Sequence, residues 1–99
     1  MIKHIVMIRV KGNDPEEKRK NAASLKDAID GLMGKVPELK SMEVGLNVNE
    51  NPKAYDLVLT SAFDSLQDLD AYRVHPEHKK VLELLYELME GTAVADYEI

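Results

Sequence analysis

The chain has 99 residues, 44% hydrophobic and 31% charged, with no Cys and a formal net charge of -5. That length supplies one domain, residues 1–99, and excludes two. The acidic balance disfavours nucleic acid and anionic lipid as partners, and the lack of cysteine removes disulfides, thiolate metal sites and a cysteine nucleophile.

Met1 leads straight into Ile2-Lys3-His4-Ile5-Val6, without a basic n-region followed by a long apolar h-region, and no apolar run of roughly 18 residues occurs. The expectation is a cytoplasmic protein that does not enter membranes. A chain this short buries only roughly 60 to 65% of its unfolded surface, so a partner surface would add stability.

Ile2 to Lys11 is β-branched and apolar on both alternating sets: Ile2, His4, Val6, Ile8 and Val10 on one side, Ile5 and Met7 on the other. A strand covered on both faces is predicted. Asp14-Pro15-Glu16-Glu17 then joins a capping Asp, a proline for the first helical position and a Glu able to reach back to the cap. Ala22, Leu25, Ile29, Leu32 and Val36 recur at spacings of three and four, giving a helix with one buried stripe and an exit at Gly34 and Pro37.

From Leu39 the period falls to two, with Met42, Val44, Leu46 and Val48 alternating with Ser41, Glu43, Gly45 and Asn47. Asn49-Glu50-Asn51-Pro52 is a turn, and the extended pattern from Tyr55 to Phe63 pairs back as an antiparallel hairpin. Ser65 and Asp68 open a short helical segment through Leu66, Leu69 and Tyr72. His75-Pro76 restarts it as a new helix with Val81, Leu82, Leu85, Leu88 and Met89 on one side, ended by Gly91. Thr92 to Ile99 reads as a last strand.

The order βαββαβ closes most economically as a ferredoxin-like α+β sandwich, with strands one and three central through right-handed crossovers. Ile5 and Met7, with Val58 and Ala62 of strand three, then lie on a sheet face that no element of this chain covers. A second copy is the expected cover, which makes Ile5 and Met7 the candidate dimer-interface residues.

Three histidines and one tyrosine carry the candidate chemistry. The imidazole of His78 titrates near ~6.5 when unperturbed and can take a proton from a carbon flanked by two carbonyls without a cofactor. The phenol of Tyr72 can donate to the oxygen on which negative charge develops. Packing offers the competing account: Tyr72 in the helix–sheet core, and His78 bonded to a nearby carbonyl or water. His75 suits a helix cap, and with His4 it is a candidate substrate-binding residue. His4 equally suits a satisfied core histidine. His75 and His78 stand three apart but lack a third ligand, so no metal site is predicted. Phosphate loops, nucleophile elbows and His-Glu-x-x-His pairs are absent from the sequence, which gives hydrolase chemistry little support.

Three stretches together, Ile2-Lys3-His4-Ile5-Val6-Met7, Tyr72-Arg73-Val74-His75-Pro76-Glu77-His78 and Val94-Ala95-Asp96-Tyr97-Glu98, resemble the stress-responsive A/B barrel domain (Dabb) family over essentially the whole chain. The resemblance implies a dimeric α+β barrel of two ferredoxin-like protomers packed sheet to sheet. It also brings in olivetolic acid cyclase, a distant plant relative whose cofactor-free aldol cyclisation uses a Tyr and a His that match Tyr72 and His78. A pocket-lining strand His matches His4, whereas a further strand His of that enzyme falls on Leu57, a departure from the cyclase pattern.

Three readings follow. One is a homodimer that binds a small, largely apolar molecule between helices and sheet. The second is a cofactor-independent cyclase, lyase or isomerase with His78 as base and Tyr72 as donor. The third is an assembly protein without catalysis. Oxygen chemistry, known in related barrels, is disfavoured by the absence of Trp.

Overall fold

The computed structural model describes residues 1–99. It contains strand β1 (Ile2–Val10), helix α1 (Pro15–Asp30), strands β2 (Ser41–Leu46) and β3 (Leu57–Phe63), helices α2 (Leu66–Arg73) and α3 (Pro76–Leu88), and strand β4 (Met89–Glu98). The four strands form one antiparallel sheet in the order β2-β3-β1-β4, with the helices on one side, so the ferredoxin-like α+β arrangement is as expected.

Alternation along β1 decides what is buried. Ile2, His4, Val6, Ile8 and Val10 are all at most 9% exposed beneath the helices. Residues directly opposed on antiparallel neighbours share a face, so the register carries this division across the sheet. Ile5 stands between Thr60 and Ala95, and Met7 between Val58 and Ala93, all on the face turned away from the helices. Met7, Val58 and Tyr97 of that face remain 39%, 37% and 50% exposed. Ala62 departs from expectation: it is on this face yet only 5% exposed, because a methyl group flanked by Lys3 and Ser41 on neighbouring strands is covered within the sheet itself.

The helices start where side-chain acceptors are available for their free amides. Asp14 Oδ1 accepts from the Glu17 amide at 2.8 Å, while Glu17 Oε2 accepts from the Asn13 amide at 3.1 Å, one residue before the cap. Ser65 Oγ accepts from the Asp68 amide at 3.1 Å. Replacing Asp14 by Ala is expected to lower stability by about 1 kcal/mol, measured by urea denaturation, whereas Asp14→Ser retains most of it.

Three boundaries differ from the sequence reading. Helix α1 ends at Asp30 rather than near Gly34, although the buried stripe continues through Leu32 and Val36, at 2% and 1% exposure. Those residues sit in successive tight turns with i to i+3 bonds, Lys35 to Leu32 and Leu39 to Val36, and Gly34 adopts φ +89. A tightened coil still repeats about every three to four residues, so hydrophobic spacing does not register the change. Strands β2 and β3 are shorter than predicted, and the exposed Val48 lies outside the sheet. Strand β4 begins at Met89, and Gly91 lies within it beside a register shift at Arg9/Val10 instead of closing α3. Glycine in a strand commonly marks such an irregularity.

Two apolar clusters fill the space between layers. One joins α1 to the middle of the sheet through Leu25, Ile29, Ile8 and Leu57. The other gathers Ile2, Leu32, Val36, Leu39, Phe63, Leu69 and Tyr72 at the end of the sheet where α2 gives way to α3. The candidate site stands on this second cluster.

Candidate functional site

Around the break between α2 and α3, Tyr72 packs close to His4 of β1, and His78 packs against Tyr72. Tyr72 is 2% exposed, its ring 5.1 Å from Phe63, 6.5 Å from His4 and 4.3 Å from His78, centroid to centroid. His4 meets Phe63 edge-on at 6.4 Å. Four rings therefore occupy the inter-layer space that the sequence reading reserves for a ligand. The principal clefts lie elsewhere. One of about 610 Å³ runs between the start of α1 and residues 46–50, one of about 500 Å³ lies on the open sheet face beside Met7, Tyr55 and Val58, and one of about 190 Å³ lies between α1 and α3. None of these three is lined by His4, Tyr72 or His78. His4, Phe63, Tyr72 and His78 instead pack against one another, with their rings tilted or edge-on.

The hydrogen bonds specify the state of each ring. His78 Nδ1 lies 3.1 Å from the Arg73 carbonyl oxygen. A carbonyl can only accept, so neutral His78 carries its proton on Nδ1 and leaves Nε2 with a lone pair. Burial holds the His78 pKa below the usual imidazole value, helped by nearby His4, Arg73 and His75 and opposed by the bond to the Arg73 carbonyl. Tyr72 is pushed up to about 12 by burial, so it remains a neutral phenol.

His4 and Asp96 face one another across the β1–β4 ladder, with Nδ1 to Oδ1 at 2.5 Å. The carboxylate orients the imidazole with its proton on Nδ1 and its Nε2 free. Asp96 Oδ2 in turn accepts from Arg73 at 3.0 Å, and the second Nη of Arg73 donates to Asp70 at 3.3 Å. His75, by contrast, caps α3: its Nδ1 accepts the Glu77 amide at 3.1 Å. Its side chain is thus tied to the backbone, as the capping reading of the sequence anticipates.

Sequence reasoning missed Asp96 and Arg73. The only available signal was an acidic residue amid the apolar run of the last strand, and nothing in the linear order reveals that register places it opposite His4. Leu57, where the plant cyclase would have a histidine, is 1% exposed in the other apolar cluster and opposes Ile8, well along the strand from His4.

Around the rings the surface is apolar on one side. Helical spacing sets Leu82, Leu85 and Tyr86 on the same side of α3 as His78. None of the α3 residues is fully buried, and Tyr86 is 63% exposed. Val94, two residues before Asp96 and on the same face of β4, is 56% exposed. The arrangement supplies the bare Nε2 of His78, the imidazole of His4 held by Asp96, one phenol donor and an adjoining apolar strip. No group of three or more His, Cys, Asp or Glu is placed to hold a metal ion, and no helix is long and apolar enough to cross a membrane.

Comparisons with known proteins agree with this architecture. A ferredoxin-like dimeric protein of unknown function from Bacteroides fragilis is 38% identical, with 99% of this chain and 95% of that chain covered and a TM-score of 0.88. An uncharacterised protein of Streptomyces coelicolor is 30% identical over 98 residues, 99% of each chain. Hydroxynitrile lyase from Passiflora edulis superposes with a TM-score of 0.82 over 99% of this chain and 92% of that one, but at 20% identity it shows the shared fold alone. The model of the stress responsive A/B barrel domain matches residues 2–99, and the chain belongs to that family.

Proposed function

We propose that the protein is a homodimer whose protomers each present a cofactor-independent proton-transfer site, acting on a small, largely apolar carbonyl compound. The observation that carries the catalytic part is the Nε2 of His78, left free by the Nδ1 bond to the Arg73 carbonyl, on a ring whose centroid is 4.3 Å from that of the neutral phenol Tyr72. The apolar strip of α3 and Val94 supports the choice of an apolar substrate body. The exposed, apolar sheet face, together with the dimeric ferredoxin-like protein of B. fragilis, supports the dimer.

In this reading Nε2 of His78 removes a proton from a carbon between two carbonyls. The electron pair of that C–H bond passes into the enolate, and its oxygen accepts a hydrogen bond from Tyr72. The imidazolium then returns the proton to another position, an isomerisation, or to the alkoxide formed when the enolate carbon adds to a second carbonyl, an aldol closure. His4, oriented by Asp96, offers a second imidazole to the site. The ring cluster must part slightly or accept the carbonyl head at its α3 rim, with the apolar portion lying along α3.

The test uses an alkyl β-diketone in heavy water, following loss of the central C–H signal by NMR. The wild type is expected to accelerate exchange above buffer, with the rate falling about 100-fold or more in His78→Ala and also falling in Tyr72→Phe. Circular dichroism of both variants should remain that of the folded chain. Because His78 is held below the ordinary imidazole value, activity should stay level on acidification past pH ~6.5 and decline only below it. Exchange no faster than buffer, or full activity in His78→Ala, overturns the proposal.

A further inference from the structure

We propose that the break between α2 and α3 fixes which ring nitrogen each site histidine presents, with Arg73 and His75 as its positioning residues. The inference rests on the proton-transfer reading for its functional meaning, while its physical content is independent of turnover.

In an unbroken helix the Arg73 carbonyl would receive the amide of Glu77, four residues on. Here that amide is taken by His75 Nδ1, and residue 76 is a proline with no N–H to offer. The Arg73 carbonyl is therefore left for the ring of His78, which can meet it only as an Nδ1 donor. The helix cap thus selects the tautomer of His78 at one remove. From the same residue the guanidinium reaches across to β4 and holds Asp96, the carboxylate that orients His4. Its second arm is braced on Asp70. One residue therefore sets both rings, one through its main chain and one through its side chain. A guanidinium fork can hold two carboxylates from separate nitrogens, which a lysine ammonium on a flexible stem does far less rigidly.

The charged and titratable groups facing the two rings are Asp96 from β4, Asp70, Tyr72 and Arg73 from α2, and His75 at the start of α3, besides each histidine to the other. Arg73 is the one permanent cation among them. It disfavours a second proton on His78 and leaves Asp96 already partnered on its far oxygen.

Nitrogen-15 NMR of histidine-labelled full-length protein at neutral pH tests this directly. In Arg73→Met, which keeps the backbone carbonyl, the Nδ1 proton of His4 should exchange with solvent about tenfold faster, since a charge-assisted bond on Asp96 is lost. His78 should keep its Nδ1–H form while its titration midpoint moves upward, as the nearby cation is gone. Arg73→Lys should restore the midpoint of His78 and only part of the His4 protection. His75→Ala should free the Glu77 amide to compete for the Arg73 carbonyl, turning His78 into a mixture of tautomers. His75→Asn, a strong cap, should return it to one.

Unchanged His4 exchange in Arg73→Met, or an unaltered His78 tautomer in His75→Ala, overturns the inference. If the ring states respond as stated but the β-diketone does not exchange, the proposed function fails and this inference stands. If exchange depends on His78 while the ring states ignore Arg73 and His75, the reverse holds.

Discussion

Ile5→Asp is expected to leave the protein monomeric at concentrations where the parent sediments as a dimer. Ile5 occupies the centre of the open sheet face, between Thr60 and Ala95, with Met7 one pleat away. In the proposed dimer a carboxylate there would be taken from water in the middle of the contact. Burying an unpaired charge costs several kcal/mol, and each 1.4 kcal/mol is a factor of ten, so dissociation constants should rise about 100- to 10,000-fold. Met33→Asp provides the control, because Met33 is 47% exposed and lies beyond the end of α1, away from the sheet. Sedimentation equilibrium across a concentration series separates the two. A dimer that survives Ile5→Asp would place the contact on another surface.

The second large effect is expected at Phe63. Its side chain is fully buried, 0% exposed, and contacts Tyr72 at 5.1 Å and His4 at 6.4 Å, ring to ring. Phe63→Ala should cost about 3–5 kcal/mol, the removed contacts plus the cavity left behind. Against a total stability of about 5–15 kcal/mol this displaces the urea midpoint substantially and threatens folding at body temperature. Phe63→Leu fills most of the volume and should lose less. Tyr72→Phe, which removes only the hydroxyl, should unfold close to wild type while still losing diketone exchange. The contrast between these variants separates what Phe63 does for the core from what Tyr72 does for the chemistry. A Phe63→Ala chain as stable as the parent would mean that the ring cluster is not part of the packed core.

The ring cluster also explains why the site is tied to fold stability. His4 and Tyr72 are at once buried members of the interior and carriers of the candidate chemistry. Burial favours the neutral form of both Tyr72 and His78, the form each needs as donor and as base. Folded His78 binds a proton less readily than the unfolded chain does. Its contribution to stability is therefore complete above pH ~6.5 and is lost as pH falls toward its depressed folded value.

Element order, the two faces of β1, the helix caps at Asp14 and Ser65 and the restart at His75-Pro76 were legible in the linear chain, because each depends on neighbours within a few residues. Periodicities of two and 3.6 report which side of an element is buried, and capping residues act on amides two or three positions away. The end of α1 was not legible, since tight turns keep nearly the same apolar spacing as the helix they follow. Nor was the partnership of His4 with Asp96, 92 residues apart, which exists only through the β1–β4 register. The packing of Phe63, His4, Tyr72 and His78 against one another was likewise decided by contacts between the sheet and the helix layer. Local sequence could nominate the reactive side chains, but which carboxylate holds His4 and which rings pack together depend on long-range neighbours that pattern and propensity do not encode.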